Sequence, residues 1–262
     1  MSKISGAVHN IKSMDELSSL KSPIHNIHPL IKLITTVVYI FILVSYHKYD
    51  LFGILIMSVY IFAGFILGEL SILESIKKLK MILPVCILFG VFNPFFDHTF
   101  FMKIGDFVVT GGMISGLTLV IKGVLSLMAS YLLIATTGIE KLCYAFRLLH
   151  VPSLIVTQLL LTYRYITVLL TEANNIYQAY SLRAPRQKGI QYKVWGSLLG
   201  QLLFRSIDRA SQVYESMLLR GYRGEFRYSY KDKMNVYDLV YLIIWIVIIF
   251  VFRFTDLLQL GR

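Results

Sequence analysis

The sequence is poor in the residues from which most catalytic and covalently braced sites are made. Cysteine occurs twice, as Cys86 in an apolar run and Cys143 in a basic region, which argues against a disulfide framework and leaves both as packing residues. Acidic residues are scarce, 15 against 26 Lys and Arg. No pair of carboxylates lies inside an apolar run, where a proton or cation relay would need one. There is no GxxxxGKS/T phosphate loop, no HExxH and no GxSxG, so catalytic machinery of those kinds is absent by motif. The first 29 residues are polar, with Asp15 and Glu16, and contain no apolar stretch leading to a small-residue cleavage site; no signal peptide is expected.

Apolar length is what the chain has in abundance. It is 56% hydrophobic, with a mean hydropathy of +0.65. Stretches at Leu30–Tyr46, Leu51–Leu67, Met81–Phe96, Met113–Thr137 and Val236–Phe252 approach or exceed the ~17–25 residues that cross a bilayer core. The expected fold class is therefore an all-α integral membrane protein with five transmembrane helices and a cytoplasmic helical domain of two long arms. Pro84 and Asn93-Pro94 interrupt the third span, because proline removes a backbone donor and frees a carbonyl that neighbours must satisfy. Small residues four apart, Gly64 and Gly68, Gly112 and Gly116, Ser126 and Ser130, read as positions where helices pack closely.

The net charge of +11 would suggest nucleic acid in a soluble protein, but in a membrane chain it reports orientation. Residues Gly138 to Asn235 hold 14 of the 26 basic residues and 6 of the 15 acidic ones, which assigns them to the cytoplasm. Lys3, Lys12, Lys21 and Lys32 precede or open the first span, and Lys77, Lys78 and Lys80 crowd the second loop. The third loop sets Lys103 against Asp97 and Asp106. The chain divides accordingly into a cytoplasmic segment (1–29), a four-helix membrane region (30–137), a cytoplasmic domain (138–235) and a final span with its tail (236–262), whose C-terminus lies outside. Nucleic acid is not an expected partner; the bilayer is.

Within the basic region an amphipathic stretch, Glu140–His150, ends at Val151-Pro152. From Leu154 to Leu182 nothing breaks a helix, and 29 residues at ~1.5 Å each give about 43 Å, enough to run from the membrane surface into the cytoplasm. After the turn-like Arg186-Gln187-Lys188-Gly189, a second helix runs from about Val194 to Arg220, where Gly221 supplies a cap. The result is a hairpin of two arms. Gly196, Gly200, Ser206 and Ala210 give the second arm small positions where another helix can cross. Arg205 with Asp208, and Asp208 with Gln212, are spaced for pairing along that helix. Arg164 sits in the still-apolar part of the first arm and calls for a partner in the bundle, a headgroup or water, Glu172 being two turns away.

Each arm ends in the same pattern. Leu182-Arg183-Ala184-Pro185-Arg186 and Leu219-Arg220-Gly221-Tyr222-Arg223 recur 37 positions apart. Arginine in a last turn can simply cap exposed carbonyls and complement the helix dipole. The second reading is docking: a guanidinium fork engages carboxylates or carbonyls of a partner groove, the leucine anchors it, and the small residue lets the partner approach the backbone. His25 and His28 have metal-ligand spacing, but no further ligand clusters with them, and an interfacial turn is the alternative.

These residues resemble the transmembrane T component of energy-coupling factor (ECF) transporters, of the cobalt and nickel type called CbiQ. The resemblance runs from Ser22-Pro23-Ile24-His25 and Pro29-Leu30-Ile31-Lys32 through Asn93-Pro94. It continues in Leu160-Leu161-Thr162-Tyr163-Arg164-Tyr165 and Glu172-Ala173 and ends in Ser216-Met217-Leu218-Leu219-Arg220-Gly221-Tyr222. It implies a non-catalytic subunit of the bacterial or archaeal cytoplasmic membrane, whose Arg183 and Arg220 dock on two ABC-type (CbiO-like) ATPases. Both motifs depart from the family's Ala-Arg-Gly by a leading Leu, and the first also by Ala184 and the following proline. The resemblance further implies a separate (CbiM-like) subunit that captures the metal ion, with a small accessory membrane subunit as a further partner. It implies no cofactor on this chain, ATP and magnesium being used by the partners. A vitamin-type or shared T component is the rival within transport, and a membrane enzyme or scaffold with a basic cytoplasmic face the rival outside it.

Overall fold

The computed structural model describes residues 3–20, 22–80, 82–93, 100–104, 107–185, 187, 189–224 and 234–260. They form ten helices and one short hairpin: α1 (Lys3–Ser18), α2 (Pro29–Ser45), α3 (Leu51–Leu67), α4 (Ile72–Leu79), α5 (Leu83–Phe92), β1 (Phe100–Ile104), β2 (Phe107–Thr110), α6 (Gly111–Thr137), α7 (Ile139–Leu148), α8 (Ser153–Arg183), α9 (Tyr192–Leu219) and α10 (Val236–Leu260). The helical expectation holds, with one exception. The third loop forms an antiparallel pair, Phe100 opposite Thr110 and Ile104 opposite Phe107. The chain divides into two compact units, Met1–Leu17 with Ile139–Lys231, and Ser18–Gly138 with Asp232–Arg262.

The second unit is the apolar bundle. Pro29 opens α2, where its missing N–H costs nothing, and His28 caps it by accepting from the Leu30 amide (3.2 Å). Tyr39, Leu43, Ile54, Met57 and Phe65 are fully enclosed between α2, α3 and α6. The Tyr39 ring stacks on Tyr60 at 4.5 Å, Tyr60 meets Trp245 edge-on at 4.8 Å, and the Tyr39 hydroxyl donates to the Met57 carbonyl at 3.1 Å. Outward positions such as Phe41 and Ile66 are 74% and 73% exposed, as a lipid-facing surface requires. Gly64 and Gly90 are close-approach points: a methyl there would come within 2.3 Å of Leu132 Cδ2 and 2.2 Å of Val120 Cγ2, both on α6.

Polar contacts fix the helix directions. His28 N donates to Asp238 Oδ1 (3.0 Å) at the start of α2 and α10, and Arg253 Nη2 donates to the Ser45 carbonyl (3.0 Å) near their ends, so the two are parallel. Lys32 Nζ donates to the Thr136 carbonyl (2.9 Å) and Lys122 Nζ to the Tyr46 carbonyl (2.6 Å), so α6 runs against α2. Tyr39 to Met57 makes α3 antiparallel to α2, and Asn93 Nδ2 to Ser115 Oγ (2.9 Å), with Cys86 beside Gly123, makes α5 antiparallel to α6. Thus α2, α5 and α10 point one way and α3 and α6 the other. As a consequence α6 ends and α10 begins on one face.

Length separates these helices. Among the described residues α6, α8 and the Val236–Phe254 part of α10 are long and apolar enough to cross a membrane alone, while α2 and α3 have 17 residues each. Within the third span, expected over Met81–Phe96 with breaks at Pro84 and Asn93-Pro94, the described helix α5 has ten residues, about 15 Å, with Pro84 in its first turn and its end just before Asn93-Pro94. Met81 and Pro94 lie outside the described residues. Before it, α4 turns by 112° from α3 and carries Lys77 and Lys78 in its last turn.

Candidate coupling site

The first unit carries both arginine motifs. Its base is α7 against α8: Cys143, Val156 and Leu160 are buried together, with Ile139, Phe146 and Val151 packed around them. Burial pushes the Cys143 thiol up, and Glu140 adds to the shift, so the sulfur stays protonated and inert at neutral pH. The N-terminal α1 belongs to this unit as well, where Tyr163 donates from its hydroxyl to Asp15.

The two arms cross as an antiparallel pair joined by an ion pair between Arg205 on α9 and Glu172 on α8. Sequence spacing had suggested Asp208 as the partner of Arg205; the hairpin brings the α8 carboxylate closer than the helix's own. On either side of this crossing the arms splay into a cleft. One, of about 570 Å³, is lined by Ile176, Ala179, Tyr180 and Arg183 of α8 and by Val194, Ser197, Leu198 and Gln201 of α9. The other, of about 600 Å³, is lined by Leu161, Arg164 and Tyr165 of α8 and by Arg209, Gln212, Val213, Met217 and Arg220 of α9. Arg183 and Arg220 therefore occupy opposite ends of the pair. The 28 residues of α9 extend about 42 Å between them.

The tips end by different means. At α9, Gly221 has φ +82°, its N–H donates to the Leu218 carbonyl (2.9 Å), and the Tyr222 N–H donates to Met217 (3.0 Å). That is a complete Schellman ending, in which backbone amides satisfy the last carbonyls. At α8, Ala184 sits at φ −128°, ψ 62°, outside the helical region as a residue before proline should, and its N–H still reaches the Tyr180 carbonyl (3.1 Å). The Tyr180 hydroxyl then organises the turn, donating to Gln187 Oε1 (2.8 Å) and accepting from the Gln191 amide (3.4 Å).

Neither terminus uses its arginine side chain as a cap, and no hydrogen bond or ion pair joins either guanidinium to another described residue. Leu182 and Leu219 are 82% and 89% exposed. Arg223 is exposed beyond Gly221 and Tyr222, and Arg186 lies outside the described residues. Gly196, Gly200, Ser206 and Ala210 line neither cleft, and a methyl at either glycine would meet nothing within 4 Å. They are thus not where α8 crosses α9, and they face outward with exposed Leu199, Leu203 and Ile207. His25 bonds Ser22 Oγ at 2.6 Å and His28 caps α2; among the described residues no three His, Cys, Asp or Glu converge as a metal site.

Sequence reasoning missed the Glu172–Arg205 brace and the charges tied to the two ends of α2. Lys122, Asp238 and Arg253 were readable as rare ionisable residues within or beside apolar runs, which in a bilayer always need partners.

An apolar helical bundle together with a unit of two crossed, arginine-tipped arms defines a multi-pass membrane protein built to engage other subunits. The chain belongs to the cobalt transport protein family CbiQ, whose match covers residues 20–230. An uncharacterized protein of Methanocaldococcus jannaschii is 24% identical over 92% of this chain and 87% of its own. The energy-coupling factor transporter transmembrane protein EcfT of Listeria innocua is 26% identical over 77% of this chain and 81% of its own. The nickel permease LarQ of Lactiplantibacillus plantarum is 28% identical over 44% of each chain. The family match and these relatives make the chain a transmembrane subunit of an ECF-class transporter.

Proposed function

We propose that this chain transmits the closure of two ATPase subunits to a separate membrane subunit that captures cobalt or nickel. One observation carries the reading. Two guanidiniums stand at opposite ends of a braced helix pair, each beside an exposed leucine, and both helix ends are closed without them. Two ATPases approaching each other on ATP binding would draw the tips inward, and Glu172–Arg205 is the pivot about which α8 and α9 would turn. The outward stripe with Gly196, Gly200, Ser206 and Ala210 is where the capture subunit would cross. ATP and magnesium belong to the ATPases. The first unit then lies in the cytoplasm, and the C-terminus outside, in agreement with the basic residues at the start of α2 and in α4.

The cargo reading is supported by the family's description as cobalt transport proteins and by likeness to a nickel permease. The longer likeness to an EcfT supports a second reading, a T component for other capture subunits. The test is coexpression with the ATPases and the capture subunit, followed by copurification and radioactive cobalt and nickel uptake. Arg183→Ala with Arg220→Ala should lower both retention of the ATPases and uptake about tenfold or more, since each charged hydrogen bond contributes about 1.5–3 kcal/mol. Undiminished retention and uptake would overturn the proposal; intact coupling with neither metal transported would favour the second reading.

A further inference from the structure

We propose that the cleft between the first half of α8 and the last turns of α9 holds the anionic headgroup of a membrane phospholipid. Arg164, Arg209 and Arg220 line one volume of about 600 Å³, with Tyr165 and Tyr222, and among the described residues no carboxylate lines it. Like charges brought together in one cleft repel, and a bound phosphate removes that repulsion while accepting paired hydrogen bonds from two guanidinium forks. The opposite cleft offers no such convergence: its second arginine, Arg205, is already paired with Glu172.

The surroundings favour a lipid over an acidic peptide. Leu154, 75% exposed, lies two helical turns before Leu161 on the same side of α8. This part of α8 is apolar enough to rest against the cytoplasmic surface of a membrane. A cationic cleft that continues into exposed aliphatic surface is complementary to a molecule with a phosphate at one end and an acyl chain at the other. Tyr165 and Tyr222 are the ring type enriched at that boundary. The site answers the demand that Arg164, a charge in an apolar stretch, places on its environment. It shares Arg220 with the docking tip of the preceding reading, so lipid binding is read on the chain alone and with Arg220 kept.

The test is native mass spectrometry of the full-length chain in detergent, titrated with phosphatidylglycerol or phosphatidylcholine, and with inorganic phosphate and polyglutamate as competitors. Phosphatidylglycerol should bind in preference to phosphatidylcholine. R164Q/R209Q, which leaves Arg220 in place, should weaken phosphatidylglycerol about tenfold or more. R164K/R209K, which keeps the charges and loses the planar forks, should bind more tightly than R164Q/R209Q and less tightly than wild type, and K193Q, outside the cleft, should leave binding unchanged. Equal binding by wild type and R164Q/R209Q would overturn the proposal. So would displacement of the lipid by inorganic phosphate, which marks a site for free anions, or by polyglutamate at equal charge, which marks a site for an acidic protein segment.

Discussion

Gly221 is held at φ +82° with open space around it, so a side chain there meets only the backbone penalty of a left-handed residue, about 1–2 kcal/mol. Gly221→Ala is expected to unwind the Schellman ending and cost ATPase retention while leaving the rest of the fold intact, as read by copurification alongside circular dichroism. Gly196→Ala should do the reverse to the isolated chain, stabilising an exposed helix interior by about 0.8–1 kcal/mol. Gly196→Leu should weaken capture-subunit binding if that stripe is a crossing point, and unchanged assembly would remove the stripe from the account. At this scale the sequence was informative about the second tip, where glycine after the last helical residue is a known ending. The first tip was harder to read, because Pro185 excludes the left-handed form at Ala184 and Tyr180 closes the turn from seven residues upstream of Gln187.

The crossing of α8 and α9 rests on an exposed ion pair, its side chains 58% and 30% accessible, so its contribution to stability is small, about 0–1 kcal/mol. Its consequence is geometric. Glu172→Gln should leave the melting temperature within a few degrees of wild type yet reduce ATP-driven uptake, and the charge-swapped pair Glu172→Arg with Arg205→Glu should restore it. Uptake unaffected by Glu172→Gln would mean that the pivot lies elsewhere. In the apolar bundle, Gly90→Val would drive a side chain into Val120 and toward the Gly116 carbonyl, 3.0 Å from the position of a first methyl, and about 1–3 kcal/mol of overpacking is expected in thermal unfolding. The apolar spans and the two arms were legible from apolar length and breakers, whereas α1 and α4 were not, being short and polar. The bounds of α5 follow the breaks read at Pro84 and Asn93-Pro94, whereas the strand pair of the third loop was not legible, because its short run sits among charged residues.

For the whole molecule, parallel α2 and α10 against antiparallel α6 give the bundle a direction that hydropathy alone could only infer from charge. Removing one tie tests it: Lys122→Met leaves the Val44 and Tyr46 carbonyls without their donor and should lower stability by about 1–3 kcal/mol. The family was readable from the arm motifs, while the cargo was not, since nothing among the described residues is arranged to bind it. The central claim is that two tips serve two ATPases, and crosslinking addresses it most directly. Leu182→Cys and Leu219→Cys, placed together in a Cys86→Ser, Cys143→Ser background, should join one copy of this chain to two separate ATPase subunits, each single cysteine yielding one. A double variant that captures only one ATPase, or none, would contradict the account.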